Sequence, residues 1–571
     1  MPTHKPPPLV LLLLVCLLLL AACRGSSQRP VTFNGWDKYD IPTLDPQLAM
    51  DVSSVDVVEN LFVQLTNYDL ETAAMVPEAA TRWQISDDGL TYTFHIRTDI
   101  PWVKHDPATD TTTQEVDSQG KPRFLSAHDF VYGIKRACDP HTGAYYSSIV
   151  APLLKGCSQV LFAQDPKNVP AQLWDAIGVS APDDETLVIE LEFPAGYFLP
   201  MTSMWTLAAV PHWAIEAHGK EWIEAGNIVT NGRYVLHEWE HDVRRTFARN
   251  PLLPQDLQGD GNIERLVVTV VPEKEIGYDL WLDAKVDASC IPEDQLQSHL
   301  QRFPEETEQI SDLAVSYISF RMSKPPFDDP RVRRAFSAAF DRETFANDVL
   351  HGQGLPMIHF APPGIFGAPP IDEVGLGFDP EFARQQLAEA GYPDCQGLPR
   401  VTLLGHSGRD TLLKYAQAQW VEHLGCSEHQ IRIEQLPWGD VLMLTEADVP
   451  DVEAPHMWTM GWVPDYPDEN NWVGDVMWCK GANPWKRTCN EIDDLIVQAR
   501  QEPIPQRRVE LYRQIEDMFF GPQGETPFFP LSVRMDFTAR HTWLEITPAP
   551  FGGEQWYHWT IDQQVQLAAQ R

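Results

Sequence analysis

The chain begins with an apolar run that ends at a cysteine, and this junction decides the compartment in which everything downstream has to fold. The aliphatic run Val10–Leu20 is followed by Ala21, Ala22 and Cys23. A membrane-spanning helix needs about 20 apolar residues, so this run is too short to span a bilayer. Small residues before a cut site are typical of export signals. We therefore expect residues 1–22 to be removed and the mature chain to fold outside the cytoplasm.

The same junction resembles the lipoprotein box of exported bacterial proteins. This resemblance implies that the thiol of Cys23 carries a diacylglycerol and that the new amino group is acylated. Stable anchoring to a membrane then needs no transmembrane helix. An ordinary secretory signal with an incidental cysteine is the alternative interpretation. Arg24 follows the cysteine and leaves open which bacterial membrane holds the anchor.

Length and charge restrict the architecture and the partners. A chain of 571 residues is too long for a single hydrophobic core, so we expect two or more lobes. It carries 81 acidic against 43 basic residues, a net charge of −38. A field of this sign repels phosphates and excludes nucleic acid as a partner, while it favours ligands that carry an amine. Scattered carboxylates that only keep an exported protein soluble are the simpler explanation for much of the charge.

The cysteines predict local disulfide bonds rather than a metal site. In an oxidising compartment, cysteines that are close in the sequence can each close a short loop. None of their spacings matches a metal finger, and we expect neither a metal nor a cofactor. Cys290 is left over. The three expected pairs are Cys138 with Cys157, Cys395 with Cys426, and Cys479 with Cys489.

Hydrophobic periodicity indicates an α/β fold with much additional β structure. Residues Leu90–Arg97 alternate between apolar and polar after an Asp-Asp-Gly turn, and Tyr234–Phe247 behaves similarly, so both segments predict strands. Apolar residues recur at helical spacing in Asp329–Leu350 and in Phe382–Ala390, which predict helices.

One segment satisfies a zinc-protease pattern without the required secondary structure. His237, Glu238 and His241 spell HEWEH, in which two histidines one helical turn apart would bind zinc. The alternation around them predicts a strand, and there the two histidines would lie about 13 Å apart, too far for one zinc ion. We therefore expect no zinc site from this pair.

Ordered segments along nearly the whole mature chain resemble the family 5 extracellular solute-binding proteins of ABC importers, the group that binds oligopeptides and dipeptides. The agreement lies in their number and order, with the stretch around Ser126–Tyr132 the most diagnostic. Between Trp102 and Ser126 the chain carries an acidic, Thr-rich insertion. The segments are Thr43–Pro46, Glu59–Phe62, Leu65–Asp69, Val76–Ala80, Ser86–Arg97, Ser126–Tyr132, Asn231–Tyr234, Asp329–Glu343, Phe378–Pro393 and Gly461–Asp468.

The resemblance implies an α/β, two-lobed periplasmic-binding-protein fold of the type II kind. An extra α/β domain would be inserted in the first lobe, and the ligand would be enclosed between lobes that close by a hinge. The implied limits are a signal peptide over 1–22, a first lobe over 23–62, 196–290 and 531–571, an inserted domain over 63–195, and a second lobe over 291–530.

The resemblance also implies where a ligand is held. A carrier of varied peptides has to bind their shared backbone, and strand addition between two edges does so. By family position, one edge is Met50, Asp51 and Val52, and the other is Gly461, Trp462 and Val463.

Asp465 is the residue that the resemblance pairs with the ligand's α-ammonium group. A turn aspartate that only bonds nearby amides is the simpler alternative, because this stretch is rich in proline. For Trp462, plain core packing competes with a role in a side-chain pocket. Thr459 stands where a well-known oligopeptide-binding member has a basic residue, so recognition of a peptide carboxylate does not carry over at that position.

The function implied is capture of peptides by a monomeric, lipid-anchored protein and their delivery to the permease subunits of an ABC importer, without catalysis. The same fold carrying a nickel chelate, haem, an oligosaccharide or another solute stays open. So does a secreted acidic hydrolase that uses paired carboxylates, and so does a sensor that signals to a membrane partner.

Overall fold

The computed structural model describes residues 29–70, 74–407, 409–549 and 553–570. The expected signal peptide and the expected lipidation site Cys23 lie outside these residues, so both stay predictions. Among the described helices, none combines the length and the apolar character needed to cross a membrane.

The strands are numbered in chain order. They are β1 Thr32–Asp37, β2 Thr66–Tyr68, β3 Met75–Pro77, β4 Ala80–Ile85, β5 Thr91–Ile96, β6 Val103–Asp106, β7 Thr111–Gln114, β8 Val179–Asp183, β9 Thr186–Glu190, β10 Val229–Thr230, β11 Tyr234–Glu240, β12 Arg244–Arg249, β13 Arg265–Val270, β14 Ala288–Cys290, β15 Thr307–Phe320, β16 Gly354–Pro356, β17 Val401–His406, β18 Ile431–Leu436, β19 Met457–Trp462, β20 Phe528–Arg540, β21 Leu544–Glu545 and β22 Thr560–Ile561.

The α-helices are named by their residue ranges. They are Val52–Leu61, Ala127–Ala137, Ser147–Val150, Cys157–Leu161, Ala171–Asp175, Phe198–Met201, His212–His218, Lys274–Leu282, Leu296–Arg302, Pro330–Ala338, Arg342–Thr344, Pro380–Glu389, Asp410–Leu424, Trp438–Thr445, Glu491–Gln501, Pro505–Phe520 and Gln563–Ala569. Single π-helical turns occur at Phe345–Val349 and Asn470–Gly474.

Lobe 1 is built on two four-stranded sheets that share one hydrophobic core. The first sheet has the order β1-β13-β12-β11, with β1 parallel to β13 and the other pairs antiparallel. The second, antiparallel, has the order β4-β5-β9-β8 and lies wholly within the expected inserted segment. Phe94, Leu187 and Leu266 belong to the same buried cluster as Trp559 from the C-terminal end. The segment around Trp559 therefore packs on the core of lobe 1.

Lobe 2 is built on the largest sheet, which has its own core. Its seven strands run in the order β14-β20-β15-β19-β17-β18, with β16 paired to β20. Only β17 pairs in parallel, with β18 and β19. Ile318, Phe336, Trp420 and Phe529 are buried together against it.

Two long strands join the lobes. β15 pairs antiparallel with β20 from Thr307 opposite Ala539 to Ser319 opposite Phe528. The far end of β20 pairs with β14, and the other half of β15 pairs with β19. The expected boundary between 530 and 531 falls inside β20, a continuous strand, and the domain limits stay predictions.

The cysteines that are neighbours in the sequence are paired in the structure. The Cα atoms of Cys138 and Cys157 lie 5.4 Å apart, and those of the other two expected pairs lie 4.9 and 5.2 Å apart. Cys290 is free and exposed.

The predicted strands and helices are confirmed, with two interruptions. A turn at residues 241–243 divides the second predicted strand into β11 and β12, and the first predicted helix is broken as well. β5, β11 and β12 occupy the segments predicted as strands, and Pro380–Glu389 is helical. The predicted helix over Asp329–Leu350 ends at Ala338 and restarts at Arg342. The side chain of Asp341 accepts a hydrogen bond from the Thr344 amide, so it caps a new helix instead of continuing the old one.

Asp45, in a segment that carries the family resemblance, forms a buried ion pair with Arg136 of the helix Ala127–Ala137. The Nη1 and Nη2 atoms of Arg136 donate to Oδ1 and Oδ2 of Asp45, both at 2.6 Å. The indole of Trp222 also donates to Asp45, at 3.1 Å. The Asp45 side chain is 3% exposed. The pair fixes the segment around Asp45 against the helix Ala127–Ala137.

Replacing Asp45 by alanine should lower the free energy of unfolding by about 3 kcal/mol, because it leaves the Arg136 guanidinium without its counter-charge. Urea unfolding followed by circular dichroism measures this change. Asp410→Ala, which removes an exposed pair with Lys414, is the matched control and should change little. Equal effects of the two substitutions would contradict this account.

Candidate functional site

A cleft lies between the lobes, and the β15–β20 ribbon forms its floor. A cavity of about 540 Å³ is lined by Met50 and Tyr146 from lobe 1, Asp465 from lobe 2, and Ser311 and Arg534 from the ribbon. A second cavity of about 410 Å³ shares Val463, Arg534 and Asp536 with the first. All seven expected ligand residues line one of the two cavities: Met50, Asp51, Val52, Val463 and Asp465 in the first, and Gly461, Trp462 and Val463 in the second.

On the lobe 2 side, β19 presents an open edge. One side of β19 pairs with β15 as far as Trp462. The other side pairs with β17 only at Met457 and Trp458. Within the described residues, Met460–Trp462 therefore have no strand partner on the side of β17. Gly461 is exposed there and lets another backbone approach closely.

On the lobe 1 side, the structure differs from the expected strand edge. Asp51 is extended, but it is the N-cap of the helix Val52–Leu61, and its Oδ1 accepts from the Ser54 amide at 2.9 Å. Val52 is therefore the first helical residue rather than an edge residue. Met50 and Val52 are both more than half exposed, so this side offers apolar side chains and a carboxylate.

Asn471 holds the segment around Asp465 in place. Its Oδ1 accepts from the Asp465 amide and from the Trp462 indole, both at 3.0 Å. Its Nδ2 donates to Asp465 Oδ2 at 3.1 Å. From lobe 1, the Tyr146 hydroxyl donates to Asp465 Oδ1 at 2.9 Å. Neutral donors thus orient the carboxylate without cancelling its charge.

Asp465 differs from its acidic neighbours because it lacks a counter-charge. Asp468 forms an ion pair with Arg508 at 2.6 Å, and Asp475 pairs with Arg500 at 3.4 Å. Across the described part of the chain, no lysine, arginine or histidine forms a salt bridge with Asp465. Burial raises the pKa of Asp465 to about 6, against the lowering by its hydrogen bonds to Asn471 and Tyr146. Such a carboxylate gains most from a cation brought by a ligand.

Two further carboxyl groups line the same cavity and were missed by sequence reasoning. Asp56 Oδ1 accepts from the amide of Glu554, 498 residues away. Burial raises the pKa of Asp56 to about 8 and that of Glu554 to about 7. Nothing in the sequence distinguishes this pair among 81 acidic residues.

The opposite end of the cleft is basic. His406 and Arg409 line the second cavity together with Trp438. Arg409 Nε donates to His406 Nε2 at 3.0 Å. His406 ends β17, which runs parallel to its neighbours, and ligands often bind at the carboxyl ends of parallel strands. That topological rule is the one sequence-level signal that could have found these residues.

Comparisons with known proteins agree on one family. The model for "Bacterial extracellular solute-binding proteins, family 5 Middle" matches residues 74–483. The probable deoxycholate-binding periplasmic protein YgiS of Escherichia coli is 29% identical over 501 residues, 86% of each chain. The periplasmic oligopeptide-binding protein OppA of Escherichia coli is 26% identical over 498 residues, 86% of this chain and 85% of its own.

A solved structure supports the fold in the same way. The periplasmic murein tripeptide-binding protein MppA, in its unliganded open form, superposes with a TM-score of 0.75 and is 22% identical. The match covers 94% of this chain and 98% of the other. The expected α/β solute-binding fold is confirmed by this likeness and by the family match.

Replacing Asn471 by alanine should free the segment that carries Asp465. The Asp465 amide loses its acceptor, so its hydrogen exchange with solvent should speed up, while amides in β15 should keep their protection. Hydrogen–deuterium exchange with mass spectrometry measures both in one experiment. Unchanged exchange in Asn471→Ala would contradict the role given to this side chain.

Proposed function

Since the chain belongs to the bacterial extracellular solute-binding proteins, family 5, we propose that it captures peptides outside the cytoplasm and delivers them to an ABC importer. The single observation that carries the proposal is the uncompensated carboxylate of Asp465 beside the open edge of β19. We propose further that the protein acts as a monomer and is held at a bacterial membrane by lipid on Cys23.

The α-ammonium group of a peptide supplies the missing counter-charge. An ammonium ion seated at Asp465 makes a charge-assisted hydrogen bond in a cleft that excludes much of the water. Tyr146 and Asn471 already fix the carboxylate oxygens, so little ordering is left to complete on binding.

The open edge of β19 recognises what all peptides share. An extended ligand that lies along Met460–Trp462 gains main-chain hydrogen bonds that do not depend on its side chains. The indole of Trp462 is held by Asn471 and forms a wall for one side chain of the ligand. Selectivity for sequence is then weak.

The charges of the cleft give the ligand a direction. The amino end lies at Asp465, and the chain runs towards Arg409, whose guanidinium group supplies positive charge for the other end. Thr459, which stands where a well-known member of the family has a basic residue, is 4% exposed and lines a small cavity beside Arg409.

The same charges weigh against an anionic solute. One relative is named as a deoxycholate-binding protein, and deoxycholate carries a carboxylate and no amine. In this chain Asp51, Asp465 and Asp536 line the first cavity. Asp56 and Glu554 line it too, but burial raises their pKa values to about 8 and 7, so they carry less than a full charge at neutral pH. An anion bound there would be repelled, whereas an amine would be attracted.

Replacing Asp465 by asparagine should weaken binding of a peptide with a free amino terminus by at least about tenfold, because the charge is lost while the shape is kept. Isothermal titration calorimetry with a short peptide and its N-acetylated form measures the effect. The acetylated peptide should bind both proteins equally weakly.

The matched control is Asp536→Asn. Asp536 lines the same cavity, but its carboxylate is paired with Arg534 at 3.2 Å, so the change should be much smaller. Equal losses in the two variants, or tight binding of the acetylated peptide by the wild type, would contradict the proposed role of Asp465.

Peptide affinity should also depend on pH through Asp465. Without ligand, the carboxyl group of Asp465 has a pKa of about 6, and a bound ammonium group lowers this pKa. Above pH 6 the group is ionised, so peptide affinity is at its maximum. Affinity should fall by up to about tenfold per pH unit below it. Asp56 and Glu554 also titrate in the cleft, so the relevant quantity is the difference between wild type and Asp465→Asn.

Tyr146→Phe sharpens this test. The Tyr146 hydroxyl donates to the carboxylate, so its removal should raise the pKa of Asp465 and move the loss of affinity to higher pH. A midpoint that stays fixed or moves to lower pH would contradict the assignment.

A further inference from the structure

The HEWEH segment has no part in the proposed function. Its two histidines, His237 and His241, do not point to a common site. The pairing of β11 with β12 shifts register between Leu236 and Glu238, so His237 lies in a bulge that redirects its side chain. His241 lies beyond the end of β11, with Nε2 at 3.1 Å from Glu224 Oε2. A two-histidine site of the protease type is therefore not formed.

His237 instead meets donors from a distant part of the chain. Its Nδ1 lies 2.9 Å from Nε2 of His105, which is on β6. Asp110, in the turn between β6 and β7, places its Oδ1 at 3.3 Å from the same Nδ1 and at 3.5 Å from His105 Nε2. Two nitrogens and one oxygen thus form a compact triangle of possible metal ligands.

The size of the triangle suits a single transition-metal ion. A point equidistant from three atoms at these separations lies about 1.9 Å from each in their plane, and a small displacement out of the plane gives the usual ~2.0–2.1 Å of a zinc–ligand bond. Two imidazoles and one carboxylate are a donor set that Zn²⁺ and its neighbours in the first transition row prefer.

Neighbouring groups orient the donors towards the centre of the triangle. His105 Nδ1 lies 3.0 Å from the hydroxyl of Thr112, so a proton held there leaves the Nε2 lone pair facing His237 and Asp110. Arg265 donates to Oδ2 of Asp110 at 2.7 Å, which leaves Oδ1 available. Asp110 has a φ of 52°, a left-handed conformation that aspartate and asparagine adopt more readily than most residues.

The triangle is accessible from solvent and separate from the ligand cleft. His105, Asp110, Thr112 and Arg265 line an open cavity of about 640 Å³. None of the residues that line this cavity lines either cavity of the cleft. An ion can therefore enter, and a fourth coordination position is left for water.

A metal-free account explains only part of the geometry. A hydrogen bond between the two imidazoles fits their 2.9 Å separation. It leaves the Asp110 oxygen 3.3 and 3.5 Å from the ring nitrogens, longer than a charge-assisted hydrogen bond normally is. A shared ion satisfies all three groups at once.

We propose that His105, Asp110 and His237 bind one divalent transition-metal ion of the Zn²⁺ class, with water completing the coordination. The ion ties the β6–β7 hairpin, which belongs to the insertion that follows Trp102, to the first sheet of lobe 1. Its role is to brace this junction, and it is not the transported solute.

The test is titration of the mature chain, stripped with a chelator, with Zn²⁺ alone. Equilibrium dialysis should give one tightly bound ion per chain, and the ion should raise the melting temperature. Asp110→Asn keeps the backbone conformation and should weaken binding at least about tenfold. His237→Ala should abolish the tight site and the thermal shift.

His241→Ala is the matched control, because it removes the other histidine of HEWEH and should leave both readouts unchanged. Carboxylates of the cleft are the same in every variant, so any zinc bound there cancels in the comparison. The proposal would be overturned if the wild-type chain bound no zinc ion tightly. Asp110→Asn and His237→Ala chains that bind zinc as the wild type does would also overturn it.

Discussion

The pairing of β15 with β20 is the constraint on which the ligand site depends. These two strands are long enough to contribute to both lobes, with β14 on one end and β19 on the other. Their middle forms the floor of the cleft, where Ser311 and Arg534 line the first cavity. The regular pairing is interrupted between Ser311 and Val315 and again between Ser316 and Tyr317, so the ladder is irregular in this part of the ribbon. A hinge at this place would move the lobes without disturbing either core.

The second constraint is electrostatic. The loop and π-helical turn from Asp465 to Asp475 hold three buried or partly buried aspartates within one short stretch. Two of them are neutralised by Arg500 and Arg508 from the helices behind. The third is oriented by neutral donors and left charged above its pKa of about 6. Within the described residues, no basic side chain forms a salt bridge with the carboxylate of Asp465, which faces the cleft. The proposed ammonium group of a ligand would supply that positive charge.

The strand positions and the lobe 2 wall of the cleft could largely be predicted from the sequence. Hydrophobic periodicity reports local structure directly, and the order of the family segments reports the fold. The segment Leu90–Arg97, whose residues alternate between apolar and polar, contains β5. Asp465 and the end of β19, which the family resemblance assigns to the ligand site, lie on one wall of the cleft. The lobe 1 wall was predicted less well, since the capping preference of Asp51 starts a helix at Val52 where a strand edge was expected. At this position the hydrogen bond from the Ser54 amide to the Asp51 side chain favours a helix over the extended edge that the resemblance implied.

Contacts between distant segments could not be predicted. Tyr146 reaches Asp465 across 319 positions, Asp56 meets Glu554 across 498, and His105 meets His237 across 132. In each case the individual residues are unremarkable in the sequence, and only the fold brings them together. The HEWEH motif illustrates this well: its internal spacing pointed to no site, while a bulge at His237 turned one of its histidines towards a partner outside the motif.

The proposed capture of peptides through their amino ends is tested by identifying the ligand that the protein carries. Signal-free protein is purified from a periplasmic or peptide-rich extract and analysed by native mass spectrometry. Fragmentation of the released ligand then identifies it. If Asp465 binds the ammonium group of the ligand, the released material should be a distribution of short peptides, all with free amino termini. A single non-peptide mass, or peptides that are all blocked at the amino end, would contradict the proposal.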